Sequence, residues 1–199
     1  MNFVSTCTAL TLAAAAALAP TLAHAAADDS GIGSFHPLVG VGLTFGGDKL
    51  AEAVYSNGDT TNIKAGGLVD IYGGAEWRAD GSPFAVQATI GYHFDNASGR
   101  NGSIRFERFP IELIGLWSAA PNVRLGLGAR YAMSARLVSD GSADIGDYDF
   151  KSSIAPVAMA EWLITPHNGV QLRYVHETYK LNGVSFDGSH VGIGYDYYF

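Results

Sequence analysis

From Leu38 to the C-terminus, the apolar residues of this chain return at every second position in eight successive segments. A period of two is the repeat of a β-strand, whose side chains point alternately to the two faces of a sheet; an amphipathic helix repeats every 3.6 residues. Val39, Val41, Leu43 and Phe45 alternate with Gly40, Gly42, Thr44 and Gly46. Phe109, Ile111, Leu113, Gly115 and Trp117 alternate with Arg108, Pro110, Glu112, Ile114 and Leu116, and Val191, Ile193, Tyr195 and Tyr197 with Gly192, Gly194, Asp196 and Tyr198. The segment around Ile154 to Trp162 alternates least cleanly. The eight predicted strands are joined by short connections at 79–82, 118–122 and 165–168 and by longer ones at 47–61, 95–103, 137–151 and 182–189. Tight turns at one end and longer loops at the other are the asymmetry of an up-and-down membrane barrel, although a soluble barrel also tolerates uneven loops.

Composition narrows the choice without making it. The chain is 48% hydrophobic and 16% charged, with 25 Gly and a net charge of -7. Such a chain has ample surface to bury, which excludes disorder, and it lacks the basic face that a nucleic-acid interface needs. After the N-terminal segment no apolar run approaches the roughly 18 residues of a membrane-spanning helix. The position of the charges decides between the two barrel types. Asp70, Glu76, Arg108, Glu112, Arg124, Arg130, Glu161, Arg173, Glu177 and Asp196 all share the parity of the polar face, while the opposite face is aliphatic with aromatics at its ends. Trp77, Trp117 and Trp162 each hold the last apolar-face position before a short turn, and Phe199 falls in register with them. Aromatic rings at a common level are what a membrane–water interface selects. Tyr92, Phe94, Phe109, Tyr131 and Tyr174 are expected to form the opposite girdle. The fold expected is therefore all-β, an eight-stranded antiparallel up-and-down transmembrane β-barrel with its apolar face turned outwards.

Charges inside such a barrel must be paired. Register predicts a network of Glu112, Arg130, Glu161, Arg173 and Asp196: Glu112 diagonal to Arg130, Glu161 opposite Gln171 and diagonal to Arg173, and Arg173 facing Asp196 if the last hairpin is centred near Val184. Inward glycines such as Gly40, Gly42, Gly126, Gly128, Gly192 and Gly194 leave room for these long side chains. An eight-stranded barrel is only wide enough for its side chains to fill, so a salt-bridged plug is expected in preference to an open pore.

Ahead of the strands, Ala9 to Leu12, the alanine run at 13–17, Pro20 and Ala23-His24-Ala25 have the pattern of a secretory signal peptide, although no Lys or Arg precedes the apolar core. Residues 1–25 are assigned to that signal, 26–36 to a short periplasmic segment and 37–199 to the barrel. The only cysteine, Cys7, lies within the signal, so no disulfide is expected after cleavage.

The terminal segment Val191-Gly192-Ile193-Gly194-Tyr195-Asp196-Tyr197-Tyr198-Phe199 resembles the C-terminal signal read by the outer-membrane assembly machinery. Together with Arg108 to Leu113 and Phe186 to Gly192, it makes the chain resemble the small eight-stranded outer-membrane β-barrel proteins, the class of the OmpA transmembrane domain, OmpX and the opacity-type proteins. That resemblance implies export to a bacterial outer membrane, both termini periplasmic, and contact with outer-membrane lipids and lipopolysaccharide. It also implies engagement of the assembly machinery through Tyr195, Tyr197 and Phe199, and a monomer. One such barrel hosts adhesins, enzymes, pores and scaffolds, so activity must be argued from sites. The leading expectation is a non-enzymatic structural or surface-interaction role; the alternatives are a small pore or transporter for hydrophobic molecules of the OmpW kind, and a lipid-modifying enzyme.

Candidate chemistry is sparse. His176 lies on the outward parity near Thr178, but no Ser shares its face within two residues, and Ser189 precedes an inward His190. A nucleophilic Ser needs a base within hydrogen-bond reach, so no catalytic residue is assigned. His93 and His190 read as interior or loop polar residues, no metal-ligand spacing occurs, and no cofactor or metal is expected. Asp140, Asp144, Asp147 and Asp149 sit in a loop that does not match an EF-hand and reads as a solvated surface.

Overall fold

The computed structural model describes residues 34–54, 60–99 and 102–199, so the expected signal peptide at 1–25 and the segment 26–33 lie outside the described residues. Thirteen strands follow in order: β1 (Ser34–Gly46), β2 (Lys49–Val54), β3 (Thr60–Lys64), β4 (Leu68–Arg78), β5 (Phe84–Ser98), β6 (Gly102–Ala120) and β7 (Val123–Gly141). They continue with β8 (Tyr148–Ser152), β9 (Ala155–Thr165), β10 (Asn168–Val175), β11 (Thr178–Leu181), β12 (Val184–Asp187) and β13 (His190–Tyr198). The ring β7-β6-β5-β4-β1-β13-β10-β9 closes on itself through the pairing of β7 with β9, which makes an eight-stranded antiparallel barrel with no free edge.

The longer connections are in large part sheet. β5 runs to Ser98 and β6 starts at Gly102, pairing through the segment expected as the 95–103 loop. Likewise β7 extends to Gly141 and β8 begins within the segment expected as the 137–151 loop, while β12 lies within the expected 182–189 loop and continues the wall through β11, just ahead of that loop. Polar alternation in these stretches is weak because they rise above the apolar band, where the outward face no longer needs to be greasy. At the other end β1 begins at Ser34, three residues before the expected barrel start, and pairs Phe35 with Trp77.

The exposed face carries the aliphatic stripe: Leu127 is 73% exposed, Leu172 63% and Leu113 58%. Trp77, Trp117, Trp162 and Phe199 stand exposed at the short-turn end, joined by Phe35 and Phe84. At the other edge Tyr92 stacks near Phe94 and Phe109, with ring centroids 5.0 and 5.1 Å apart. Eight positions of β6 separate Trp117 from Phe109, about 20 Å along a membrane normal once strand rise and tilt are allowed for.

Inside, the rule reverses with height. Between the rims the interior is charged over most of its circumference, with an apolar strip of Ile114, Leu116, Val157 and Met159. Above the upper rim it becomes an ordinary apolar core of Ile104, Phe106, Leu137, Phe150 and Tyr179, and hairpin β2–β3 tucks Ala51 and Ile63 into it as a cap. The change of level coincides with a bulge in β7, where Ser134 adopts φ 48° and the register against β6 shifts between Glu107 and Phe109.

Candidate functional site

The interior polar column is built by strands whose inward positions alternate long charged side chains with glycine. A Cβ on Gly40 would lie 2.2 Å from the Tyr72 ring, and one on Gly169 would lie 2.0 Å from Glu161, so both positions have to be side-chain-free for their neighbours to reach inwards.

At the short-turn end, Arg124 is the hub. Its Nη1 donates to Glu76 at 2.6 Å, its Nη2 and Nε donate to Glu161 at 2.6 and 2.9 Å, and its guanidinium lies 4.9 Å from the centre of the Tyr198 ring. The Tyr198 hydroxyl donates to the second Glu161 oxygen at 2.9 Å. A solvent-facing cleft of about 450 Å³ leads in from this end, lined by His36, Glu76, Arg78, Ser118, Arg124 and Tyr198 among others. One layer up, Asp196 accepts from Tyr72 at 2.6 Å and from Gln171 at 2.8 Å, and Gln171 also donates to the Tyr72 oxygen.

The middle layer holds the densest charge. Arg130, fully buried, donates to Glu112 at 2.7 Å and lies 3.5 Å from Asp70 and 3.7 Å from Glu177. Arg173 donates to both oxygens of Glu112 at 2.6 Å. Above it, Arg130 donates to His93 Nδ1 at 2.7 Å, while His93 Nε2 lies 2.7 Å from Thr44 Oγ1 and 3.0 Å from Arg108 Nη2. Arg108 reaches from the next inward position to the Gly67 carbonyl at 3.0 Å, and its guanidinium packs on Phe106 under the apolar cap.

The five residues expected as one network are divided between layers. Glu112, Arg130 and Arg173 form the middle cluster, with Glu112 directly opposite Arg130 instead of diagonal to it. Glu161 stands opposite Gln171, but its cation is Arg124, directly across the β7–β9 pairing, and not Arg173. Arg173 faces Gly192, and Asp196 faces Gly169, so the expected Arg173–Asp196 pair does not form. The reason is the last hairpin: it turns at Asn182-Gly183, both with positive φ, not near Val184, and the register moves with it. Trp77, Trp117, Trp162 and Phe199 share the lower rim, while Tyr195 and Tyr197 point outwards beside Phe199 on the closing strand. Not every Arg is interior: Arg105 and Arg136 are exposed, beyond the upper rim.

Sequence spacing missed one pair. His176 Nδ1 lies 2.9 Å from Ser189 Oγ, because Ser189 enters from the neighbouring strand end and not from the same strand. Asp187 accepts from the Ser189 backbone N–H at 2.8 Å; its hydrogen bonds from Ser189, side chain first, hold its carboxyl below the usual carboxylate range. The pair is exposed, and Asp187 meets the serine instead of the imidazole, the reverse of what a nucleophile–base–orienter relay requires. Among the described residues, no group of His, Cys, Asp and Glu is placed to hold a metal ion.

No protein-family model and no curated protein sequence matches the chain. Solved structures do. The attachment invasion locus protein Ail of Yersinia pestis, crystallised with the heparin analogue sucrose octasulfate, matches at 14% identity and TM-score 0.50 over 84% of this chain and 99% of that one. Neisserial surface protein A matches at 14% identity and TM-score 0.45, over 83% and 97%. The chain has the fold of the small eight-stranded outer-membrane β-barrels.

Proposed function

We propose that this chain is an integral protein of a bacterial outer membrane with a structural or surface-interaction role and no enzymatic activity. One observation carries the reading: an apolar, rim-bounded outer face encloses an interior in which most of the charged groups are tied to one another and Asp196 and Arg108 are held by polar neighbours. An apolar exterior around a charged interior is stable only in lipid. Both chain ends of the described barrel lie at the short-turn rim, the periplasmic end in barrels of this type, and the extended walls of β5 to β8 and β11 to β12 then stand outside the cell. Tyr195, Tyr197 and Phe199 on the closing strand are the residues offered to the assembly machinery, and a signal peptide at 1–25 is its export address.

The interior argues against a conducting pore. Ion pairs fill the middle layer and the β2–β3 cap closes the far end, so the cleft at the lower rim is a vestibule. Planar-bilayer recording on the refolded barrel is expected to give no discrete conductance steps; regular steps would make the pore or transporter the better reading.

Among the described residues, the His176–Ser189 contact is the one feature that favours a lipid-modifying enzyme. For the reasons of geometry given above, acyl transfer is not expected. Mass spectra of lipid A from cells overproducing the protein should match those from cells producing the Ser189→Ala variant, and a serine-dependent change in acyl chains would reverse the assignment.

A further inference from the structure

The hairpin that caps the barrel is joined to the wall by two narrow legs. β1 pairs with β4 as far as Thr44 and Leu68, and pairing resumes only at Lys49 and Lys64. A glycine pair lies in each leg, Gly46-Gly47 before β2 and Gly66-Gly67 after β3. Gly46 and Gly47 have φ of 142° and 76°, a left-handed backbone that takes β2 out of the line of β1, and a Cβ on Gly47 would lie 2.4 Å from the Gly66 nitrogen. Among the described residues, β2 and β3 pair only with each other. A short set of bonds ties them to the wall. The Asp48 N–H donates to the Asp187 carbonyl at 2.7 Å, the Asp187 N–H to the Asp48 carboxylate at 2.8 Å, and the Lys64 N–H to the Asp95 carboxylate at 2.8 Å. The Asp48–Asp187 latch is exposed, and Ala51 and Ile63 are the cap side chains that enter the aromatic core.

Beneath this cap the polar groups are poorly satisfied. Arg108, Glu177, Tyr179 and His190 are at most 2% exposed, yet among the described residues Arg108 Nε and Nη1, both Glu177 oxygens, the Tyr179 hydroxyl and His190 Nε2 have no hydrogen-bond partner. They lie at the height of the legs: Gly46 faces His190, and the Glu177 carbonyl accepts from the Gly188 N–H. Buried polar groups left unpaired raise the free energy of the closed form, whereas water reaching them lowers that of an open one. We propose that β2 and β3 form a hinged lid that opens as one unit while the barrel stays folded, letting water reach Arg108, Glu177 and Tyr179 from outside. Turning at the glycine legs and release of the Asp48–Asp187 latch are all that the motion requires of the backbone. The charged middle layer stays packed below, so opening makes an aromatic-walled cup and not a pore.

The test is hydrogen exchange of the full chain folded in lipid vesicles. The amides of β2 and β3 are expected to exchange together, at least about a hundredfold faster than those of β1, β4 and β6. Asp48→Ala removes the carboxylate of the latch and should speed cap exchange about tenfold without changing the barrel strands, whereas Asp48→Asn keeps an acceptor oxygen and should stay near wild type. A second readout uses the small thiol reagent iodoacetamide in a Cys7→Ser background. Ala135→Cys, under the lid, should react at least about tenfold faster than Ala155→Cys in the charged layer, both positions being 1% exposed when closed. Exchange of the cap only at the rate of the barrel strands, or β2 and β3 exchanging independently, would overturn the proposal. So would equal labelling of the two cysteines, and if either cysteine variant fails to fold, the wild-type exchange pattern decides alone.

Discussion

Arg130→Met is expected to lower the barrel's unfolding free energy by about 3–5 kcal/mol, measured by urea titration in lipid vesicles with a folded-versus-unfolded gel shift as readout. The size follows from what stays behind. Arg130 touches Glu112, Asp70 and Glu177, all buried, and supplies the hydrogen that His93 Nδ1 accepts. Methionine fills much of the volume but leaves three carboxylates to share Arg173 and Arg108, and breaking a buried pair from one side costs far more than the pair contributes. The double variant Arg130→Met with Glu112→Gln should therefore be less destabilised than the sum of the two single variants, since each single change strands the other's partner. Additive losses would mean that the middle layer is wet enough to screen the charges.

The second large effect separates a membrane barrel from a soluble one without reference to any interior residue. Leu127, the most exposed of the leucines on the outward stripe at 73%, lies between the lower rim position Leu125, which faces Trp117, and the upper girdle residue Tyr131. On a water-exposed surface, Leu127→Arg is close to neutral, since surface substitutions usually change stability by less than about 0.5 kcal/mol. Near the middle of a bilayer the same change costs about 2–4 kcal/mol. Vesicle-based unfolding of Leu127→Arg is expected to fall in the second range, and a neutral result would remove the basis for placing this face against lipid.

How far the sequence carried the structure depends on what each feature requires. Facing is a local property, and alternation alone put Glu112, Arg130, Arg173 and Asp196 inside and Leu113, Leu127 and Trp117 outside. Partner choice is not local. It depends on register, and register depends on where a hairpin turns: a shift from Val184 to Asn182-Gly183 was enough to move Arg173 from Asp196 to Gly192. The same limit hid the His176–Ser189 contact, which joins two strand ends across a connection. Height was the third blind spot. Phe106 meets Phe150 and Tyr179 edge to face in the cap at about 5.4 Å, yet Phe150 sits in the 137–151 segment that reads as a loop and Phe106 and Tyr179 only border such segments, because the lipid-facing stripe that marks a strand below the rim is missing there.

The bulge at Ser134 marks where this change occurs. A single uninterrupted strand, β6, carries Glu112 inwards below that level and Phe106 inwards above it. The wall is thus immersed in two solvents in succession, and the meaning of a substitution depends on altitude: an apolar inward side chain would unravel a charge cluster at Glu112 but is what the conventional core already holds at Ile104. Adding charge to the outward face is costly at Leu113 and harmless at Arg105. Any scheme for redesigning this protein, or for scoring its variants, needs two opposite sets of rules with the boundary drawn between Arg108 and Phe106.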